Sequence, residues 1–452
     1  MRYTFTTSIT FLIVALFCSE LLAQRQYSYE ELRQRQFVSP AFISVFPGVT
    51  DREGNANVSS VFKIRHDQLD FRSVRAADRE HEDERFASRL RIDFEVYQRD
   101  DDGERTGSPV SRNSWNKRVS TTDFEATRSR KKFIEAAQAF RIDPGNYVLR
   151  AEVYSNNQRI GSFTRRFDFA DEPEDNNWVM LTQSDEESGH PRLINMANNS
   201  HFGQELKTWF TLPDAEAGYR IRVDRLHIQN GDTTQTETVY DESLASEKIF
   251  ADRRIQIITE NNKPLLKFDG EGTNTLAGLE LPNETYQNRH YRMRIFNEDD
   301  ESGTAITDYT WYNLWIDMPV SLLNVDFAIS RLDNIVDNSK LNELQRGNRQ
   351  QREERFLEFW KERDPEPETT FNIVMAEYYR RVDEAYDKFT TPNQRGFESD
   401  QGKIYITRGQ PNEINRRYPS SRPTQEIWEY DDKTYIFEAT SGFGDYRLVE
   451  ER

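Results

Sequence analysis

Near Ser321 the spacing of apolar side chains changes from every second residue to every third or fourth, so the chain must fold as sheets first and helices afterwards. Leu90-Arg91-Ile92-Asp93-Phe94-Glu95-Val96-Tyr97 alternates apolar and charged residues, as a strand with one dry and one wet face requires. Residues 99–103 follow it as an acidic hairpin turn in which Gly103 supplies the positive φ. Residues 219–223, 255–258 and 290–296 alternate in the same way, and the last run leads into a second acidic turn, 297–303. Aromatic residues make up 12% of the chain, which suits sheet cores filled by Phe and Tyr.

This pattern predicts two antiparallel β-sandwiches of the immunoglobulin or fibronectin kind, residues 24–170 and 178–320, joined by an acidic, proline-containing linker, 171–177. Residues 24–36 read as a short helix or a loose polar lead. Tyr147, just past Pro144-Gly145 and entering a late strand, is similar to the tyrosine corner of such sandwiches. Residues 321–350 follow as a helical connector, and 351–452 as an α+β domain with an antiparallel sheet. In that domain 352–363 carries Phe356, Phe359, Trp360 and Arg363 at helical steps, and Pro365 and Pro367 break it. A second helix, about 368–390, sets Phe371, Val374, Tyr378, Val382, Ala385 and Phe389 on one stripe and Glu377, Arg381, Glu384 and Lys388 on the other. Strands are expected at 403–408, 426–430, 434–439 and 445–449, the last three as a meander. Pro411 is expected to open a short helical turn through Ile414.

Arg2, the apolar run 9–17 and Leu21-Leu22-Ala23 predict a secretory signal peptide over residues 1–23, cut after Ala23. The run is too short to cross a bilayer. Cys18 offers a lipoprotein alternative, but Phe17 is bulky where a lipoprotein signal needs a small residue. Cys18 is the only cysteine, so the expected mature chain has no disulfide, thiolate nucleophile or cysteine-ligated metal. A net charge of −18 argues against nucleic acid and anionic lipid as partners. No later stretch reads as transmembrane, so the expected location is the periplasm or the outside of the cell.

Several blocks of the last part occur in one order: 359–365, 377–382, 396–411, 427–430 and 442–449. Together they resemble the GWxTD domain, named for Gly-Trp-x-Thr-Asp, over roughly residues 352–450. The name motif stands here as Gly396-Phe397-Glu398-Ser399-Asp400, keeping an aromatic and a hydroxyl where the family has Trp and Thr. Trp360, Arg363, Asp364, Tyr378, Arg381, Gly402, Gly409, Pro411 and Trp428 complete the residues the resemblance singles out. It implies an exported bacterial protein, often with β-sandwich modules ahead of the domain, and no established activity. Helix, helix and antiparallel strands with Gly409-x-Pro411 also look like the small lipoprotein subunit of the outer-membrane barrel-assembly machinery, a likeness of topology and one short motif.

Ser399 and Asp400 form either a functional hydroxyl–carboxylate pair or a turn whose side chains bond the backbone, and the turn is favoured. Asp364 and Asp400 read as acid/base carboxylates or, in preference, as parts of a buried network with Arg363, Arg380 and Arg381. Trp360 and Trp428 read as core anchors. The six histidines precede residue 351 and show no metal spacing, so no metal or cofactor is expected. Asp100-Asp101-Asp102-Gly103 lacks the spaced ligands of a calcium loop and reads as a solvated hairpin tip. The leading expectation is a non-catalytic envelope protein that meets another envelope protein through its C-terminal domain. The alternatives are a carboxylate-based hydrolase of glycan or peptide, and carbohydrate-binding sandwiches.

Overall fold

The computed structural model describes residues 27–36, 39–51, 53–54, 58–171, 176, 178–229, 232–300, 303–420, 423–440 and 444–452. The expected leader with Cys18, most of the 171–177 linker, residues 301–302 of the second acidic turn and 442–443 of the last family block lie outside the described residues. One compact unit spans Val38–Asp317, and the other joins Met1–Phe37 to Met318–Arg452.

The β unit begins with β1 (Ala41–Pro47), β2 (Val58–Arg65), β3 (Arg72–Ser73), β4 (Phe86–Arg99), β5 (Arg105–Thr121), β6 (Phe133–Phe140), β7 (Gly145–Ser155) and β8 (Gln158–Phe169). Sheet β1-β2-β6 lies over sheet β3-β4-β7-β8, to which β5 adds on β4. Ile43, Phe62 and Ile64 from one sheet meet Ile92, Phe94, Val96 and Leu149 from the other, so β4 alternates as its sequence requires. Gly103 closes the β4–β5 hairpin at φ 82, and the Tyr147 hydroxyl donates to the Asp143 carbonyl at 2.6 Å, a tyrosine corner. The Asp100 carboxylate accepts from the Glu104 N–H at 2.8 Å and so serves the turn.

A second sandwich repeats the plan. It is built from β9 (Val179–Gln183), β10 (Arg192–Leu193), β11 (Asn199–His201), β12 (Leu206–Leu212), β13 (Tyr219–Gln229), β14 (Asp232–Ser243), β15 (Ile249–Glu260), β16 (Lys263–Leu281), β17 (His290–Asn297) and β18 (Ala305–Leu314). Sheets β10-β9-β12-β16-β15 and β11-β18-β17-β13-β14 enclose Phe210, Ile221, Val223, Leu279, Met293 and Trp311. Tyr219 bonds the Asp214 carbonyl at 2.7 Å, a second tyrosine corner that the sequence reading missed.

Strand β2 breaks the alternation, because every one of its residues is buried. Its second face meets the neighbouring sandwich, where Val61 joins Trp178, Met180, Trp209, Ile257 and Leu266. The two sandwiches therefore share an apolar layer. Lys63 is caught in that layer, 1% exposed, with its ammonium 3.1 Å from Glu135 Oε1, which also accepts from Arg192 at 2.8 Å. Burial pulls the Lys63 pKa down against the pull of Glu135.

The second unit starts with α1 (Tyr29–Arg35), opened by a capping box between Ser28 and Glu31. The sequence reading placed these residues at the head of the first sandwich. Instead Tyr29 packs against Phe327, Tyr386 and Phe397, and Gln36 Nε2 donates to the Met318 carbonyl at 2.6 Å. The helices α2 (Val325–Ser330), α3 (Asn338–Leu344), α4 (Arg349–Lys361), α5 (Ile373–Phe389) and α6 (Asp400–Arg408) follow. A meander of β19 (Glu413–Arg417), β20 (Gln425–Glu429), β21 (Thr434–Ala439) and β22 (Tyr446–Glu451) ends the chain. Phe389 and Tyr405 from the helices meet Trp428 and Phe437 of the sheet.

Three expectations fail here. The segment 403–408 is helix, and the first strand is β19, where a helical turn through Ile414 was expected. Helix α5 starts at Ile373, because Asn372 caps it by accepting the Met375 N–H at 2.8 Å, which leaves Phe371 ahead of the helix. Its buried stripe consequently runs through Met375, Tyr378, Tyr379, Val382 and Ala385, with Val374 40% exposed.

Candidate functional site

The segment 396–411 forms a short helical turn, the helix α6 and a glycine stop. A Cβ at Gly396 would lie 2.0 Å from the Ala385 carbonyl oxygen of α5, and one at Gly402 would lie 1.8 Å from the Gly396 carbonyl oxygen. Only glycine permits either approach. Ser399 is the helix cap: its Oγ accepts from the Gly402 N–H at 3.0 Å and donates to the Gly396 carbonyl at 2.7 Å. Asp400 Oδ2 accepts from the Leu448 N–H at 2.9 Å and so ties α6 to β22. Gly409 ends the helix at φ 83, its N–H on the Tyr405 carbonyl and its own carbonyl accepting from the Tyr430 hydroxyl at 2.8 Å. Pro411 is buried just before β19.

Phe397, 2% exposed, sits among Tyr29, Phe327 and Tyr386, with the Arg331 guanidinium 4.7 Å above its ring. Trp360 meets Phe359 and Tyr379 edge-on and Tyr378 at a tilt, and Tyr378 donates to the Arg331 carbonyl. Trp428 Nε1 donates to Glu426 Oε1 at 2.8 Å.

The buried network expected of Asp364 and Asp400 with the arginines is not formed. Asp364 accepts from the Glu366 N–H at 3.1 Å, as a turn residue. Arg363 lies 3.7 Å over the Phe359 ring and donates to the Phe359 carbonyl at 2.6 Å. Arg380 and Arg381 pair with Glu377 of their own helix, each at 2.7 Å, and hydrogen bonding from Arg380 foremost holds the Glu377 carboxyl below its usual range. Asp400 stands in the first turn of helix α6, where a strand was expected, and there its carboxylate faces β22.

In this unit two carboxylates that the sequence reading passed over are held by buried partners. Asp383 accepts from the Val320 N–H at 2.6 Å and the Ser321 N–H at 3.2 Å, and Tyr29 hydrogen-bonds it. The residue as a whole is only partly buried, but its carboxyl faces these groups, and desolvation there raises its pKa to about 6. Glu426, 4% exposed, accepts from Gln401 Nε2, Trp428 Nε1 and Arg416 Nε, each at 2.8 Å. Glu426 was within reach of sequence, since it lies two residues before Trp428 on one strand face. Nothing in the sequence marks Asp383, whose partner Tyr29 is remote along the chain.

A hollow of 280 Å³ opens beside the motif, lined by Lys388, Phe389, Thr390, Thr391, Gln401, Arg416, Glu426, Gly444 and Tyr446. At its rim Lys388 donates to the Tyr405 hydroxyl at 2.6 Å, and Tyr405 in turn donates to Glu384. Among the described residues, no three His, Cys, Asp or Glu side chains come together as a metal site, and no helix is long and apolar enough to cross a membrane.

The fold and these bonds define a β-sandwich protein that carries an α+β module whose signature residues are spent on its own backbone. The model of the GWxTD domain matches residues 325–447, so the chain is a GWxTD domain-containing protein. The match begins at Val325, inside the stretch read from sequence as a connector, and α2 explains why, since Phe327 packs on the motif ring of Phe397. No curated protein matches the chain. Among solved structures, it is similar to red sea bream transglutaminase at 6% identity, over 63% of this chain and 33% of that one, with a TM-score of 0.19. Squid arrestin is similar at 9% identity, over 58% and 90%, with a TM-score of 0.12. The chain thus spans about a third of the transglutaminase's length. At such scores neither likeness bears on fold or activity.

Proposed function

We propose that the protein is exported and acts without catalysis, as an interaction or scaffolding module that meets an envelope partner through its C-terminal unit. The observation that carries this is the use of the motif's polar atoms. Ser399 and Asp400 are committed to the Gly402, Gly396 and Leu448 backbone, and Asp364 to that of Glu366. A hydrolase built on Asp364 and Asp400 would need one carboxylate held near a substrate atom as acid or base. Export rests on the leader pattern of residues 1–23.

Photo-crosslinking amino acids in place of Tyr418 and Ile414, exposed in the C-terminal unit, and of Val110, exposed in the β unit, test this in living cells. A discrete envelope-protein adduct from the first two positions and none from Val110 is the expected result. Hydrolysis of a glycan or peptide by the purified protein, abolished by one carboxylate substitution, would overturn it.

A further inference from the structure

The hollow beside the motif is built around a charge that its surroundings could have done without. Glu426 is among the most enclosed carboxylates of the chain, and burying it is costly unless every lone pair is used. Its Oε1 takes the Gln401 and Trp428 donors, so its Oε2 is left for Arg416 Nε. Gln401 is itself 6% exposed and comes from the first turn of α6. Two elements, α6 and β20, thus fix one guanidinium, and Arg416 lies on β19, where its side chain is 59% exposed. Among the described residues its two terminal nitrogens have no partner, and neither has the Tyr446 hydroxyl. Lys388 adds an ammonium at the rim, where burial lowers its pKa less than Tyr405 and Glu384 together raise it.

The open groups are therefore donors, a planar fork and a phenol, and the Lys388 ammonium at the rim is already bonded to Tyr405 and Glu384. A planar guanidinium fork held from behind matches a carboxylate in two parallel hydrogen bonds. A hollow of 280 Å³ admits a terminal residue or an acidic side chain, and no extended ligand. Next to it, among the described residues, β19 pairs only with β20, so its outer edge is open to an extended chain.

We propose that this hollow binds the carboxylate of a partner peptide, with the Arg416 fork as its receptor, Tyr446 as a second donor and Glu426 as the group that positions Arg416. The proposal rests on the interaction reading above and names its chemistry. Its two sources are a free C-terminus and an internal Asp or Glu.

Peptide arrays probed with the full mature chain separate them. One arm carries random hexapeptides with free C-termini, the second the same peptides amidated, and the third amidated peptides with one internal Asp or Glu. Binding is expected in the first or third arm, at least tenfold above the second when the second lacks acidic residues. Arg416→Gln should remove that preference in an assay run below the melting transition, which falls because the buried Glu426 loses its cationic partner, and Arg416→Lys should restore only part of the preference. A preference that survives Arg416→Gln, or no preference for carboxylates, would overturn the proposal. So would a response to an oligogalacturonate with none to peptides. The crosslinking result is independent: an adduct at Tyr418 or Ile414 that Arg416→Gln leaves intact refutes this site and spares the interaction reading.

Discussion

Gly402→Ala should destabilise the C-terminal unit, although alanine is the better helix former. Inside an exposed helix this exchange gains about 1 kcal/mol. Here the new Cβ would lie 1.8 Å from the Gly396 carbonyl oxygen, against an ordinary contact of 3.4–4 Å. The next nearest atoms are the Gly396 carbonyl carbon at 2.8 Å and Phe397 Cα at 3.1 Å, all backbone, so no side chain can swing aside. Relief needs the 396–398 turn to move by more than an ångström, which overpacks Phe397 against Tyr29 and Tyr386 at a cost of about 1–3 kcal/mol or more. It also pulls the Ser399 cap from its bonds, for about 1 kcal/mol. The net loss is about 1–3 kcal/mol, which lowers the melting temperature of a unit this size by about 3–10 °C. Calorimetry of the full mature chain, with exposed Lys403→Ala in the same helix as control, measures it. A Gly402→Ala variant that melts at or above the parent would refute the close approach.

Asp383→Asn should flatten the pH dependence of stability. The carboxyl pKa rises from 3.8 to about 6 on folding, so between those values the unfolded chain sheds a proton that the fold keeps, and stability falls as pH rises through that window. Two pKa units amount to about 3 kcal/mol, reduced to about 1–3 kcal/mol because the residue keeps some surface. Urea unfolding of parent and variant at pH 4.5 and 7 should show the smaller difference in the variant, and equal slopes would count against the buried carboxyl. In the β unit, Glu135→Ala should cost about 3–5 kcal/mol by leaving Lys63 buried without its partner, and Lys63→Met with Glu135→Leu should regain most of it. A Glu135→Ala variant with parental denaturant midpoint would show that buried Lys63 does not depend on this partner.

Alternation made the sandwiches legible. β4 shows one dry and one wet face, so its sequence carries its environment, and Pro144-Gly145 placed the Tyr147 corner. Strand β2 was opaque for the opposite reason, because a strand dry on both faces carries Ser59, Ser60 and Lys63 where an exposed face would carry the same residues. Helix α6 was misread as a strand through Gly402. The glycine lowers helix propensity locally, while the close approach that demands it is a tertiary fact. The helical period was nevertheless present, since Gln401, Gly402, Tyr405 and Ile406 are its buried residues. The Tyr29 partner of Asp383 comes from a distant segment, and a single sequence carries no trace of such a pairing.

The central claim is that the hydroxyl and carboxylate of the motif hold the fold. Melting of full-length mature Ser399→Ala, Asp400→Ala and Asp400→Asn, each beside the crosslinking assay, tests it most directly. Loss of the cap should cost about 1 kcal/mol and loss of the Leu448 bond about 1.5–3 kcal/mol, with Asp400→Asn milder because its amide oxygen still accepts. Lowered melting temperatures in that order, with the adduct retained below the transition, are the predicted result. An Asp400→Ala variant that melts like the parent yet loses its partner, or an activity, would contradict the account.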